Sequence, residues 1–277
     1  AMDGGAPGQF ELLGRYGDRW GDVRYLAQIF SKRGDGVRGE DYYATDAFAK
    51  VALPTSARSE ITAKVGFHDE AANSTDVGLT QGMFEADPRR PTIAPYDQVQ
   101  VRRVDGSILH RLWLGEGSEL KTLAYATSTS RVWRRQDYDR PCNLEEGVVR
   151  CRPVPGVAYE RIVGDITKPG GAIFFRSTDT IRDRSYAVIG VEPRLTHRFT
   201  TGDVQHTLDV GARFLSETAH RAQRAGEDPL SEAGALQSDE DQATIAISGY
   251  VQDRIAFTDY LLVTPGFRFE YASSTRN

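Results

Sequence analysis

The residues best equipped for chemistry in this chain are its arginines, 29 of them against 5 lysines. A guanidinium offers a rigid, planar fork of donors that matches carboxylate and phosphate oxygens. A biased coding composition yields the same excess, so the count leaves both origins open. The densest donor stretch is Arg89-Arg90, followed by Gln98, Gln100, Arg102 and Arg103. These six form the candidate anion-binding set, with Arg102 plus one of Arg89 or Arg90 at its centre. On a strand, alternation sets Gln98, Gln100 and Arg102 on one face and Arg103 on the other. Which face turns toward apolar surroundings is ambiguous, because Val99 and Val101 compete with Ile108 and Leu112 of the opposite register. Bracing of loops, or contact with lipid phosphates, is the plainer role for these arginines.

Other chemistry is sparse. The histidines His68, His110, His197, His206 and His220 show no H-x-x-x-H or H-E-x-x-H spacing, and Cys142 and Cys151 do not make a C-x-x-C. A zinc site is therefore not expected, and no metal ligands are assigned. There is no G-x-S-x-G elbow and no phosphate-binding G-x-x-x-x-G-K-[ST], so no catalytic residue is assigned and an enzyme is not expected. The formal net charge of −5 argues against a nucleic-acid partner.

The elements that must position these donors read as strands. Ile61, Ala63, Val65 and Phe67 alternate with polar residues, as do Leu208, Val210, Ala212 and Phe214, and later Val263, Phe267, Phe269 and Tyr271. Ten strands are expected near 8–16, 22–32, 44–53, 59–71, 98–114, 118–134, 182–197, 204–219, 240–254 and 260–272. The best helix candidate, Ser231 to Leu236, is short. Turns are expected at 17–20, 54–58, 115–117, 198–203 and 256–259. Long connections lie near 33–43, 72–97, 135–181 and 220–239, so short and long alternate strictly. No run of 18 apolar residues occurs and mean hydropathy is −0.46, which rules out a membrane helix but not a barrel whose strands need an apolar residue only at every second position.

Strands this long, with short turns at one end and long loops at the other, suit a transmembrane barrel, the short turns periplasmic and the long loops outside. Thr207, Asp209, Gly211 and Arg213 are then expected in the lumen, with Leu208, Val210, Ala212 and Phe214 on lipid. Gly266, Arg268 and Glu270 share the lumenal face of the last strand, and Pro265 interrupts its ladder. Tyr25, Tyr186, Tyr250, Trp113 and Trp133 are candidates for interfacial girdles. Cys142 and Cys151, in a long connection on the oxidising side, are expected to form a disulfide.

The run Val77-Gly78-Leu79-Thr80-Gln81, then Phe84-Glu85-Ala86-Asp87-Pro88, then Pro95-Tyr96-Asp97 and Arg102-Arg103, resembles the barrel of TonB-dependent outer-membrane receptors, especially the ferric citrate and ferric siderophore group. Val191-Glu192-Pro193-Arg194-Leu195, Tyr250-Val251-Gln252-Asp253-Arg254 and Leu262-Val263-Thr264-Pro265-Gly266-Phe267 extend the resemblance over residues 8–272.

The resemblance implies an all-β, antiparallel, up-and-down segment of about ten strands from a 22-strand type of barrel, without the family's plug domain. Residues 1–7 read as a remnant or cut point and 8–277 as partial barrel. It also implies a receptor that moves a ferric chelate, ferric citrate or a siderophore, across the outer membrane of a Gram-negative cell. Energy would come from the TonB–ExbB–ExbD complex acting through the plug. The chelate is cargo, and no covalently bound cofactor is implied. Outer-membrane lipid and lipopolysaccharide are the surroundings. The alternative is a surface or periplasmic β-rich binding or structural protein without a pore; an upstream plug-coding segment in the gene separates the two.

Overall fold

The computed structural model describes residues 8–140, 142–145, 148–167 and 171–277, with backbone alone between 142 and 151. Its frame is one antiparallel sheet of ten long strands: β1 (Gln9–Trp20), β2 (Val23–Gly34), β3 (Tyr42–Ser56), β4 (Ser59–Ala72), β5 (Gln98–Gly115), β6 (Ser118–Asp139), β10 (Ala172–Thr201), β11 (Val204–Gly226), β12 (Ala235–Ala256) and β14 (Gly266–Arg276). Each neighbour in sequence is a neighbour in space, the up-and-down order expected from the alternating short and long connections. The short β9 (Tyr159–Gly164) and β13 (Leu262–Val263) add to β10 and β12, and β7 (Cys142–Glu145) with β8 (Val148–Cys151) make a separate hairpin. The sheet is open, with β1 and β14 at its edges.

Four of the five short connections are tighter than the sequence suggested, while the one after β12 runs longer, from Phe257 to Leu261. Gly17 to Trp20 belongs to β1, and the turn is Gly21-Asp22. Gly21, Gly117 and Gly202 hold φ of 58°, 77° and 62° in two-residue turns, a backbone that a side chain disfavours. The expected break at Pro265 is present: β13 stops at Val263 and β14 resumes at Gly266, with the Pro265 carbonyl accepting from Asp253 N–H at 3.0 Å. One expectation fails: Ser231 to Leu236 forms no helix, because β12 already begins at Ala235. The helix among the described residues is α1 (Gln81–Ala86), six residues capped by Thr80, whose hydroxyl accepts from Met83 N–H at 3.4 Å.

Register assigns every strand residue to one of two faces. One face carries Ile29, Val51, Val65, Val104, Ile108, Ile189, Val210, Phe214, Ile247, Val251, Phe267 and Phe269, all large and all exposed. Leu208 and Ala212 share it. Thr207, Asp209, Gly211 and Arg213 take the other face, as alternation required: Asp209 accepts from Thr196 at 2.6 Å and Arg213 lies 3.4 Å from Glu192. Gly266, Arg268 and Glu270 follow them onto the same polar face through Gln252, Tyr250 and Ser248. The aromatic assignments need correction. Only Tyr25 lies on the apolar face, 6.1 Å from Tyr16; Trp113, Trp133, Tyr186 and Tyr250 lie on the polar one.

A one-layer sheet has no interior, so the buried core sits elsewhere. Val77, Met83, Ile93 and Ala94, all from the 73–97 connection, pack with Ile173 and Phe175 of β10 at the long-loop end. Each of the larger side chains, Val77, Met83, Ile93, Ile173 and Phe175, contributes roughly 1.5–3 kcal/mol when removed from water, enough to hold the connection down on the sheet.

Candidate functional site

The six residues singled out in the sequence are not brought together. On β5, Gln98, Gln100 and Arg102 take the apolar face above its band, and Arg103 takes the polar face. Arg102 Nε donates to Asp69 at 3.1 Å, and Asp69 also accepts from Tyr43 at 3.2 Å. The Gln100 amide reaches Gln98 at 3.3 Å. Arg103 lies 3.7 Å from Asp105. Arg89 and Arg90 follow α1, where Asp87 accepts their backbone N–H groups at 2.9 and 3.3 Å. Arg102 thus faces away from the polar wall. The register resolves the ambiguity of parity: Val99 and Val101 lie opposite Trp133 and Arg131 on the polar face, and Ile108 lies on the apolar one.

What the polar face does gather is a set of arginines from β6 and β10. Arg131, Trp133 and Arg135 alternate onto it from β6; Arg182 and Arg184 do so from β10. Register sets Trp133 opposite Arg182, Arg131 opposite Arg184, and Arg184 opposite Arg221 of β11. Three guanidinium groups surround one indole, with Arg131, Arg182 and Arg135 at 5.4, 5.4 and 5.7 Å from its centroid. Such contacts fix the planes of the guanidinium forks while leaving their edges to bind. The sequence held a partial signal for this site: Arg131-x-Trp133 and Arg182-x-Arg184 lie inside expected strands, while Arg135 falls one residue beyond the expected strand end at 134. What it could not give is the register that sets the two side by side.

The electrostatics are one-sided. Among the described residues, Arg131, Arg182 and Arg184 have no carboxylate within 4.0 Å, while Arg135 pairs with Asp76 at 2.5 Å and Arg221 lies 4.0 Å from Glu240. Arg182 stands above the apolar band, which on β10 runs from Ala187 to Leu195. Burial first, then the charges of Arg135, Arg184 and Arg131, hold its pKa below the ordinary arginine value, against the opposing pull of Asp76. Nε of Arg135, Arg182 and Arg221 is buried without a hydrogen-bond partner. Unused donors and surplus positive charge are what an anion site requires.

The 73–97 connection roofs this site. Trp133 Nε1 donates to the Ser74 carbonyl at 3.1 Å, and Asp97, buried, accepts Gln136 N–H at 2.9 Å. Burial pushes the Asp97 carboxyl up to about 6, although bonds from Thr75 and Gln136 and the charge of Arg135 oppose the shift. Asp179, also fully buried, is raised to about 6 by burial and by Asp137 and Asp228. Farther along, the backbone of β7 and β8 sets Cys142 opposite Cys151; their side chains, and so the expected disulfide, lie outside the described residues. Among the described residues no group of three or more His, Cys, Asp or Glu is placed to hold a metal.

Long antiparallel strands with an exposed apolar band, a charged opposite wall and a protein-covered loop end define a wall segment of a large transmembrane β-barrel. The chain belongs to the TonB dependent receptor-like β-barrel family, which matches residues 66–277, and this is a family of receptors rather than enzymes. Its fold is similar to that of the ferric citrate transporter FecA in unliganded form, with 20% identity and a TM-score of 0.75 over 95% of this chain and 34% of that one. It is also similar to the ferric-catecholate import receptor Fiu of E. coli K12 in closed form, with 11% identity and a TM-score of 0.72 over 98% and 41%. The ferric preacinetobactin receptor BauA of Acinetobacter baumannii gives 10% and 0.67 over 97% and 40%. The chain thus spans between a third and a half of the length of these proteins.

Proposed function

We propose that this chain is part of the barrel wall of an outer-membrane receptor in a Gram-negative cell, and that its long-loop end captures an anionic ferric chelate from outside. Residues 8–277 are the wall, closed into a barrel by strands beyond β1 and β14, since open edges are not tolerated in lipid. Transport is driven by the TonB–ExbB–ExbD complex through a plug supplied by the same receptor. The cargo is ferric citrate or another carboxylate-rich siderophore complex. Cys142 and Cys151 close the β7–β8 hairpin as a disulfide, and lipopolysaccharide surrounds the outer rim.

The observation that carries this reading is the cluster of Arg131, Arg135, Arg182 and Arg184 around Trp133. A carboxylate-rich chelate presents several oxygens at once, and forks held in fixed planes meet them two at a time. The test is a titration of the full-length receptor with ferric citrate. Arg131→Ala and Arg182→Ala are each expected to weaken binding by about 1–3 kcal/mol. Arg111→Ala, in the paired charges of the short-turn end, is expected to leave it unchanged. Unchanged binding in both of the first two variants overturns the assignment.

A further inference from the structure

Asp76 is the only carboxylate touching the arginine cluster among the described residues, and it comes from the roof rather than the wall. Its oxygen lies 2.5 Å from Nη1 of Arg135. Its charge also acts on Arg182. The Asp76 side chain is 41% exposed and that of Arg135 20%, so the carboxylate can be reached and replaced while the guanidinium stays where it is.

The chain around Asp76 is pinned on both sides. Before it, the Asn73 amide donates to the carbonyls of Ala94, Pro95 and Asp97 at 3.3, 3.2 and 2.6 Å. After it, Val77 is 1% exposed within the apolar core. Only Ser74, Thr75 and Asp76 lie between these anchors, and two bonds tie them to the cluster, Ser74 O to Trp133 and Asp76 to Arg135.

From this arrangement we infer that Asp76 is a resident anion that incoming ligand must displace from Arg135, and that it sets which anions the site accepts. The inference rests on the proposed anion site and adds its selectivity. A monocarboxylate exchanges one carboxylate for another at Arg135 and gains nothing. A ligand with several carboxylates engages Arg131, Arg182 and Arg184 in the same event, and those contacts offset the loss of the Asp76 pair. Asp76 thereby withholds Arg135 from small monoanions and yields it to polycarboxylate complexes.

The full-length receptor is titrated with ferric citrate and with acetate, as wild type, Asp76→Asn, Arg135→Ala and the double variant. Asp76→Asn is expected to tighten ferric citrate binding by about two- to fivefold, the range a partly exposed ion pair supplies, and to add acetate binding at Arg135 that wild type lacks. Once Arg135 is Ala, Asp76→Asn is expected to change ferric citrate affinity less than twofold. If Asp76→Asn weakens binding or leaves it unchanged, Asp76 merely positions Arg135 and the inference is overturned. An absence of ferric citrate binding in wild type and Asp76→Asn alike also overturns it. The anion site itself fails on a different result, namely unchanged affinity in Arg131→Ala and Arg182→Ala.

Discussion

The short-turn half and the long-loop half of the polar wall are built on the same strands and handle charge differently. In the short-turn half most arginines are paired, while Lys50, Lys64 and Arg254 stand singly on that face, Lys64 over the Phe48 ring. Arg24 pairs with Glu60, Arg111 with Glu119 at 3.0 Å and Lys121 with Glu119 at 2.8 Å; Arg194 and Arg213 share Glu192 at 2.9 and 3.4 Å; Arg268 pairs with Glu270. In the long-loop half, Arg131, Arg182 and Arg184 stand without such partners among the described residues, and a roof with its own core bonds to their neighbours Trp133 and Arg135. Matched charges on an exposed wall contribute little individually and leave nothing for a ligand to satisfy. Unmatched ones beneath a roof are costly to keep, and their retention points to a partner that arrives from elsewhere.

The largest expected effect tests whether the roof is a structure in its own right. Phe175 is fully buried, with the Arg161 guanidinium 4.1 Å above its ring and Tyr138 at 6.2 Å. Phe175→Ala is expected to cost the roof about 3–5 kcal/mol. Hydrogen exchange should quicken in 73–97 and in β9, while the short-turn ends of β10 and β11 keep their protection. A uniform loss along the strands would mean that the two halves fold as one unit and the comparison fails.

The next effect is pH dependence, confined to the long-loop half. Asp97, in the roof, is raised to about 6 in the folded state, above the ordinary carboxyl value of 3.8. The folded state therefore holds a proton that the opened state releases. Its contribution is full below about pH 3.8 and is lost as pH rises through about 6. Roof protection, corrected for intrinsic exchange rates, is expected to fall about tenfold from pH 5 to pH 7.5, the one unit of the shift that lies in this range. Asp97→Asn should remove most of that dependence. Equal or greater protection at pH 7.5 would contradict it.

The same two halves explain what could be read from sequence. Where strands cross the apolar band, one face must suit lipid, so Ile61, Ala63, Val65 and Phe67, or Leu208 to Phe214, show a clean period of two. Beyond the band that demand ends. β6 continues to Asp139 and β10 begins at Ala172, where Arg176 holds Asp139 through bonds of 2.8 and 2.7 Å and Ala172 to Phe175 are all buried. That stretch reads as loop because apolar residues run together instead of alternating. α1 escapes notice because a six-residue helix leaves too little periodicity to detect. The arginine site was half visible: each strand's alternation could be read, but a pairing across 49 positions, Trp133 with Arg182, appears only once β6 and β10 are registered.

The smallest expected effect is the one that separates the wall's two faces. Arg102 looked like the best ligand in the sequence because four basic residues lie close along the chain and two glutamines precede it. Its strand, however, carries Val104, Gly106 and Ile108 on the same face below it, and its guanidinium is spent on Asp69. The Arg102 side chain is 70% exposed, so water screens this pair and the bond is worth about 0.2–1 kcal/mol. Arg102→Ala is expected to lower stability by no more than that and to leave ferric citrate affinity unchanged in the full-length receptor. Arg131→Ala, an identical chemical change on the adjacent strand but on the opposite face, should weaken that affinity at least several-fold. Equal losses in both variants would show that the ligand reaches past the rim to the outward face, and the boundary drawn between the two faces would have to move.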